Sequence, residues 1–242
     1  MKKIKSFWGL IRLILITIDI STRTVVQYWR GPIKMTREWS NNTIHKWAQR
    51  LLNAAKVDLH VHHNHNIHLE PGKSYIVMCN HTSHFDIPIS LVALSGWSVR
   101  MLAKKELYRI PLFGKAMSSA DFPMIDRHNR RQSIKDLAHA RALMKDGIVV
   151  WVAPEGTRSK NGELGEFKRG AFLMAIDAKA TIIPMGICGA QKILPAQSLG
   201  LNLGEKIDVY IGEPIDASQY ASAEKDVLLN RVRDSIEQLM LP

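Results

Sequence analysis

The chain has 242 residues, 46% hydrophobic and 23% charged, with 15 glycines and 10 prolines. That composition excludes a disordered or collagen-like chain and suits one large domain or a domain with an added module. A formal net charge of +11 points to anionic partners: nucleic acid, an acidic membrane surface or phosphorylated substrates.

Most of the excess charge is N-terminal, where residues 1–60 hold eleven Lys and Arg against Asp19, Glu38 and Asp58. The apolar run 7–18 is interrupted by Arg12 and closed by Asp19. It is shorter than the roughly 20 residues that span a bilayer, and the residues after it make a poor cleavage site for a secretory signal. Trp39, Ile44, Trp47, Leu51 and Ala55 then recur at helical spacing, with Arg37, Lys46, Arg50 and Lys56 between them. This is a basic amphipathic helix with tryptophans, suited to a membrane interface. Residues 1–56 are expected to form a two-helix membrane-attachment module and residues 57–242 the catalytic domain. Two ordinary helices packed on that domain with a solvated basic face are the alternative, and both descriptions can hold together.

From residue 57 strands and helices alternate. Strands are predicted at 57–62, 74–79, 98–102, 121–125, 148–153, 181–187 and 206–212, and helices at 86–95, 111–119, 129–145, 169–179 and 222–240. In the helix at 129–145, Ile134, Leu137, Ala138, Ala140 and Met144 share a face, and Lys145-Asp146-Gly147 is its stop signal. The alternation predicts an α/β fold with a mostly parallel central sheet flanked by helices. The stretch 60–68, HVHHNHNIH, holds five of the ten histidines. It falls where a strand must turn, so a solvated hairpin is expected there rather than a metal site. Cys79 and Cys188 lie in apolar strand-like runs and are expected to be reduced, buried thiols.

At 79–86 the sequence CNHTSHFD follows the apolar strand Tyr75-Ile76-Val77-Met78-Cys79. Ligands of open α/β sheets bind beyond the carboxyl ends of the strands. On one ideal helix His81 and Asp86 would point about 140° apart, so pairing them requires a loop-to-helix junction. There His81 can take a proton from a hydroxyl while Asp86 fixes the imidazole tautomer. Three other readings stay open on these residues: Ser83 and Asp86 as a helix-capping box, His81, His84 and Asp86 as metal ligands, and Cys79 as a thiol nucleophile.

A second apolar strand, 148–152, runs into Ala153-Pro154-Glu155-Gly156-Thr157-Arg158-Ser159. Gly156 permits close backbone approach, Thr157 offers a hydroxyl, and Arg158 a planar fork matched to phosphate oxygens. The stretch reads as a phosphate cradle at the same sheet edge, its alternative being a surface turn with an Arg–Glu pair. A third strand leads into FPMIDRHNRR at 122–131, where Arg127, Arg130 and Arg131 add positive potential.

Together these stretches resemble the PlsC-type glycerolipid acyltransferases, most of all the bacterial 1-acyl-sn-glycerol-3-phosphate acyltransferases. Asn80, His81 and Asp86 are similar to that family's N-H-x4-D block, Asp126 and Arg127 to its second, Pro154 to Ser159 to its F-P-E-G-T-R-S block, and Thr181 to Pro184 to its fourth. The stretches 103–114 and 167–172 are also family-like, so the resemblance covers about residues 57–217. Thr82 stands where Gln is frequent, and Ala153 where Phe is usual.

The resemblance implies a glycerolphosphate acyltransferase-like fold. It implies that His81, held by Asp86, deprotonates the free hydroxyl of a lysophosphatidate, which attacks the thioester of acyl-CoA or acyl carrier protein. Arg158, with Gly156 and Thr157, is expected to hold the acceptor phosphate, helped by Arg127, Lys105 and Lys168, while Glu155 orients the loop. No cofactor, metal or nucleic-acid partner is expected. The oligomeric state is left open. Attachment to the cytoplasmic face of the inner membrane is expected, since substrate and product are lipids. The alternatives are an acyltransferase for another acceptor, such as a lyso-ornithine lipid or glycerol 3-phosphate, a module that binds anionic lipid or nucleic acid without catalysis, and a metal-dependent hydrolase.

Overall fold

The computed structural model describes residues 2–31, 33, 35–63, 65, 67–195 and 200–241. Two helices, α1 (Lys2–Trp29) and α2 (Arg37–Ala54), precede the first strand. The strands are β1 (Asp58–His63), β2 (Tyr75–Cys79), β3 (Val99–Met101), β4 (Ala103–Lys104), β5 (Met124–Ile125), β6 (Val149–Val152), β7 (Thr181–Cys188), β8 (Lys206–Ile211) and β9 (Ile215–Asp216). The later helices are α3 (Asp86–Ala93), α4 (Phe113–Ser119), α5 (Arg130–Lys145), α6 (Arg169–Asp177), α7 (Ala190–Ile193) and α8 (Lys225–Met240).

The main sheet runs in the order β1-β8-β7-β2-β6-β3, with β9 paired to β7. Four adjacent strands, β7, β2, β6 and β3, are parallel, so their carboxyl ends emerge at one edge. The sheet as a whole is mixed rather than mostly parallel, because β8 runs antiparallel to β7 and β1 follows β8. The predicted strand 121–125 shrinks to β5, which pairs with β4 in a separate two-stranded sheet.

The continuous apolar strands are explained by burial on both faces. Alternate residues of β2 and β6 enter two cores. Val77 and Trp151 face α2 and α3, whereas Ile76, Met78 and Val150 face α5, α6 and α8. Helix α2 buries Ile44, Ala48, Leu51 and Leu52, and its Thr36 cap accepts a hydrogen bond from the Trp39 N–H at 3.1 Å. Helix α1 lies on α2 through Ile16, Leu13, Leu51 and Trp47. The Lys115 ammonium sits 4.5 Å from the Tyr28 ring centroid, which docks α4 on α1.

Two further expectations change. The apolar face assigned to the helix at 129–145 is rotated: Ile134 is 62% exposed, while Asp136 is buried beside Ala140 and Met144. The reason is polar. The Asp136 carboxylate accepts the Asp126 N–H at 2.8 Å and the Gln132 amide at 2.8 Å, so turning it outward would strand a buried donor. The histidine stretch does not form a hairpin with the next strand, because β1 is an edge strand parallel to β8. His62 Nε2 donates to the Asp208 carboxylate at 2.9 Å and its ring stacks on Tyr210, and His65 and His68 are exposed. The His63 side chain and residues 64 and 66 lie outside the described residues. Among the described residues no three His, Cys, Asp or Glu side chains gather as a metal site.

Helix α8 closes on β7 so tightly that a Cβ added at Gly186 would meet the Leu239 carbonyl oxygen at 2.8 Å. Gly186→Ala is expected to lower stability by about 1–3 kcal/mol, read as a reduced thermal midpoint, with a loss of activity that follows from the displaced neighbour Ile187.

Candidate active site

The site is assembled where β2 and β6 end side by side. Leaving β2, the Asn80 side chain is tied to the neighbouring strand β7. Its amide donates to the Ile187 carbonyl at 2.9 Å and its oxygen accepts the Ile187 N–H at 2.8 Å. That double bond to a backbone one strand away fixes the direction in which residue 81 departs. No sequence periodicity announces it.

Asp86, at the first turn of α3, is fully buried. Its Oδ2 accepts three N–H groups: His81 Nδ1 at 2.8 Å, the Thr82 N–H at 2.7 Å and the Ser83 N–H at 2.8 Å. A buried carboxylate requires such donors. Because Oδ2 serves as acceptor to all three, His81 carries its proton on Nδ1 and exposes a lone pair on Nε2. His81 keeps 17% of its side chain exposed, with the Trp151 ring edge-on at 6.0 Å. Only half of the expected capping box forms: Asp86 Oδ2 accepts the Ser83 N–H, but Ser83 Oγ accepts from the Phe85 N–H rather than from Asp86, and the α3 N-cap, Phe85, has no side-chain cap bond. Cys79, by contrast, is fully buried, and desolvation raises its thiol well above the ordinary range, so its neutral form packs as an apolar group.

The turn after β6 is stitched to the backbone of residue 81. Glu155 Oε1 accepts the His81 N–H at 2.7 Å, its Oε2 accepts the Gly165 N–H at 2.9 Å, and the Ser159 N–H donates to the His81 carbonyl at 2.7 Å. Gly156 sits at φ +73°, a left-handed conformation natural to glycine. An added Cβ there would meet nothing nearer than 3.7 Å, so the backbone angle and not space demands the glycine. Thr157 is exposed and Arg158 half-buried.

The remaining cations differ in how they are engaged. Arg127 Nη1 donates to the Gly156 carbonyl, bracing the turn. Lys105 pairs with Asp126 at 2.5 Å, which holds that carboxyl below its ordinary value, the Lys105 hydrogen bond being the largest cause. Lys168 flanks Gly156 and is 3.5 Å from Glu166. Arg158 has no ion pair among the described residues. Its charge reaches His84, whose pKa is lowered first by desolvation and then by Arg158, His81 and Lys104. Lys104, exposed on β4, went unnoticed in the sequence beside Lys105. Strand alternation was the available signal, since Ala103 is buried and Lys104 points out.

His81 and Asp86 at the end of β2, tied through the His81 backbone to a turn that Glu155 braces and that bears Arg158, form a site suited to proton abstraction from an anionic substrate. The family profile described as Acyltransferase matches residues 58–188, over half of the chain, and the chain belongs to the acyltransferase family. It is 35% identical over 165 residues to the chloroplastic 1-acyl-sn-glycerol-3-phosphate acyltransferase LPAT1 of Arabidopsis thaliana, covering 68% of this chain and 44% of that protein. It is 32% identical over 179 residues to a probable 1-acyl-sn-glycerol-3-phosphate acyltransferase of Mycoplasma pneumoniae, covering 69% and 66%. The chain therefore spans about half to two thirds of the length of these relatives. The crystal structure of the 1-acyl-sn-glycerophosphate acyltransferase PlsC from Thermotoga maritima superposes with a TM-score of 0.80 at 25% identity, covering 99% of this chain and 98% of that one.

Burial raises the Glu155 pKa above its ordinary 4.5, against the pull of the Gly165 and His81 N–H groups. The folded protein therefore binds this proton more tightly than the unfolded chain. Glu155 contributes stability that is full below pH 4.5 and is lost as pH rises through the raised value. Glu155→Gln is expected to remove that slope from thermal midpoints measured against pH. It also sets an amide N–H2 against a backbone donor, so the catalytic rate should fall at least about tenfold.

Proposed function

We propose that the protein transfers a fatty acyl group from a thioester, acyl-CoA or acyl carrier protein, to the sn-2 hydroxyl of 1-acyl-sn-glycerol 3-phosphate, giving phosphatidic acid. The observation that carries this reading is the His81–Asp86 pair, with Nε2 unengaged among the described residues, hydrogen-bonded through the His81 backbone to the turn that bears Arg158. The relatives and the superposed crystal structure, each named for the same acceptor, support it.

His81 Nε2 takes the hydroxyl proton as the oxygen forms its bond to the thioester carbonyl carbon, and the Nδ1–H bond to Asp86 stabilises the imidazolium that results. The tetrahedral adduct collapses, the carbon–sulfur bond breaks, and the thiolate recovers the proton from His81. The acceptor phosphate lies against Arg158 and Lys104, with Lys168 beside them. Arg127, Lys105 and Glu155 brace the loop that holds them. Gly156 and Thr157 supply close backbone approach and a hydroxyl.

The lipid chains of substrate and product require the site to meet a bilayer, and residues 1–56 are the attachment segment. Along α1, Phe7, Trp8, Ile14, Leu15, Ile18 and Trp29 are exposed. At about 100° per residue they fall on one side, opposite the buried Ile16 and Ile20. No described helix is long and apolar enough to cross a membrane, which fits a helix lying in the interface at the cytoplasmic face. Removal of residues 1–56 exposes the α3 face that α2 covers. Trp8→Ser with Trp29→Ser therefore tests attachment better, and is expected to shift the protein out of the membrane fraction.

Transfer of a labelled acyl group to lysophosphatidate tests the chemistry. His81→Ala is expected to abolish turnover, Asp86→Ala to lower it at least about 100-fold, and His84→Ala to leave most of it. Arg158→Ala should raise KM for phosphate-bearing acceptors and spare a lyso-ornithine lipid. Full transfer by His81→Ala would sink the reading.

A further inference from the structure

Between α1 and α2 lies a second basic feature, outside the site described above. Two adjoining hollows of about 430 and 420 Å³ share Asp19, Arg23 and Trp39, and their walls add Lys46, Arg50 and Arg30. Four cations against one carboxylate leave a charge of +3. The spacing is regular: Trp39, Lys46 and Arg50 fall on one stripe of α2, and Asp19, Arg23 and Arg30 on the facing flank of α1.

The donors are only partly used. Arg23 spends its Nε–H on Asp19 Oδ1 at 2.8 Å, and Arg50 one Nη1–H on Asp19 Oδ2. A guanidinium has five N–H groups, so most of both forks is unengaged. Lys46 and Arg30 make no ion pair among the described residues. Asp19 is held ionised by Arg50 and then Arg23, its pKa lowered below the ordinary carboxylate value. The carboxylate therefore orients the two forks as a fixed anion and stands in part for the ligand they would prefer.

What the cleft adjoins decides the ligand. Val26 lines it and is exposed. At 100° per residue Val26 lies at the margin of the apolar stripe that carries Leu15, Ile18 and Trp29, while Arg23 and Arg30 lie just beyond it. A phosphate seated among the cations would thus have a hydrocarbon path beginning at the rim, which a soluble anion would not use. Trp39 adds an amphipathic ring of the kind found at headgroup depth.

We propose that the cleft between α1 and α2 binds the phosphate headgroup of an anionic membrane phospholipid, whose acyl chains run along the exposed stripe of α1. The ligand is gripped by guanidinium forks in the manner of charge-assisted phosphate recognition. The site holds the protein on anionic bilayers and is separate from the one that carries the reaction. It rests on the reading that α1 meets the bilayer.

The test is flotation of the full chain with phosphatidylcholine vesicles, with and without phosphatidylglycerol, at physiological ionic strength. Phosphatidylglycerol is neither acceptor nor product in the proposed reaction, so its effect reads the cleft. Arg23→Gln with Arg50→Gln is expected to weaken binding to phosphatidylglycerol vesicles about tenfold, leaving binding to pure phosphatidylcholine unchanged. The matched charge loss outside the attachment segment, Arg109→Gln with Arg231→Gln, should stay within about twofold of wild type. Asp19→Asn, which frees both forks, should strengthen binding, and it carries the test should the arginine pair fail to fold. Equal weakening by the two arginine pairs, or no gain from Asp19→Asn, overturns the proposal in favour of diffuse attraction. Displacement of the vesicles by inorganic phosphate at matched concentration overturns the lipid assignment. Failure to bind any vesicle would instead count against the bilayer reading.

Discussion

The polar atoms of a single residue tie the site together. His81 has its ring nitrogen Nδ1 held by Asp86, its N–H by Glu155 and its carbonyl by Ser159. Two contacts from one loop and one from a helix leave a single atom, Nε2, without a partner among the described residues. In a buried setting an amide or carbonyl without a partner costs on the order of 1–3 kcal/mol, so the ends of β2 and β6 cannot drift apart without stranding groups on both. The base and the cationic turn are therefore held in one geometry by backbone bonds, independent of any substrate. That is preorganisation in a structural sense.

Much of this was legible in the sequence because it rests on local rules. Apolar runs 74–79, 148–153 and 181–187 are strands buried on both faces, and the polar clusters that follow the first two emerge at one edge because those strands run parallel. The order of β8 and β1 was not legible. An antiparallel return depends on which edge is open, and the alternating residues of 206–212 fit either direction. The face of α5 was misread for a related reason. Ile134 has the right spacing for a core, yet the buried carboxylate of Asp136 fixes the helix rotation. Hydrophobic periodicity carries no information about a distant backbone N–H in need of an acceptor.

Within the site, sequence patterns named the residue types and left their engagement undetermined. Arg127, Lys105 and Arg158 look alike as cations in motifs. Only packing separates a guanidinium spent on the Gly156 carbonyl, an ammonium spent on Asp126, and a guanidinium without an ion-pair partner among the described residues. The same holds at the N-terminus, where charge counting found a basic segment but not the gathering of its cations around one carboxylate. Helix α2 also shows that an amphipathic helix can face two ways, with its apolar side in the core and its basic side toward α1.

Cys79 is sealed inside β2, and Cys188 is half-covered beneath the end of α8, where desolvation raises its thiol pKa as well. Cys79 is out of reach as expected, whereas Cys188 is less covered than the apolar run around it predicts. Cys188→Ser would therefore leave a quiet background for maleimide chemistry. One cysteine introduced at Leu15 or Ile18 could carry a fluorophore whose emission colour reports directly how deep that part of the helix sits in hydrocarbon.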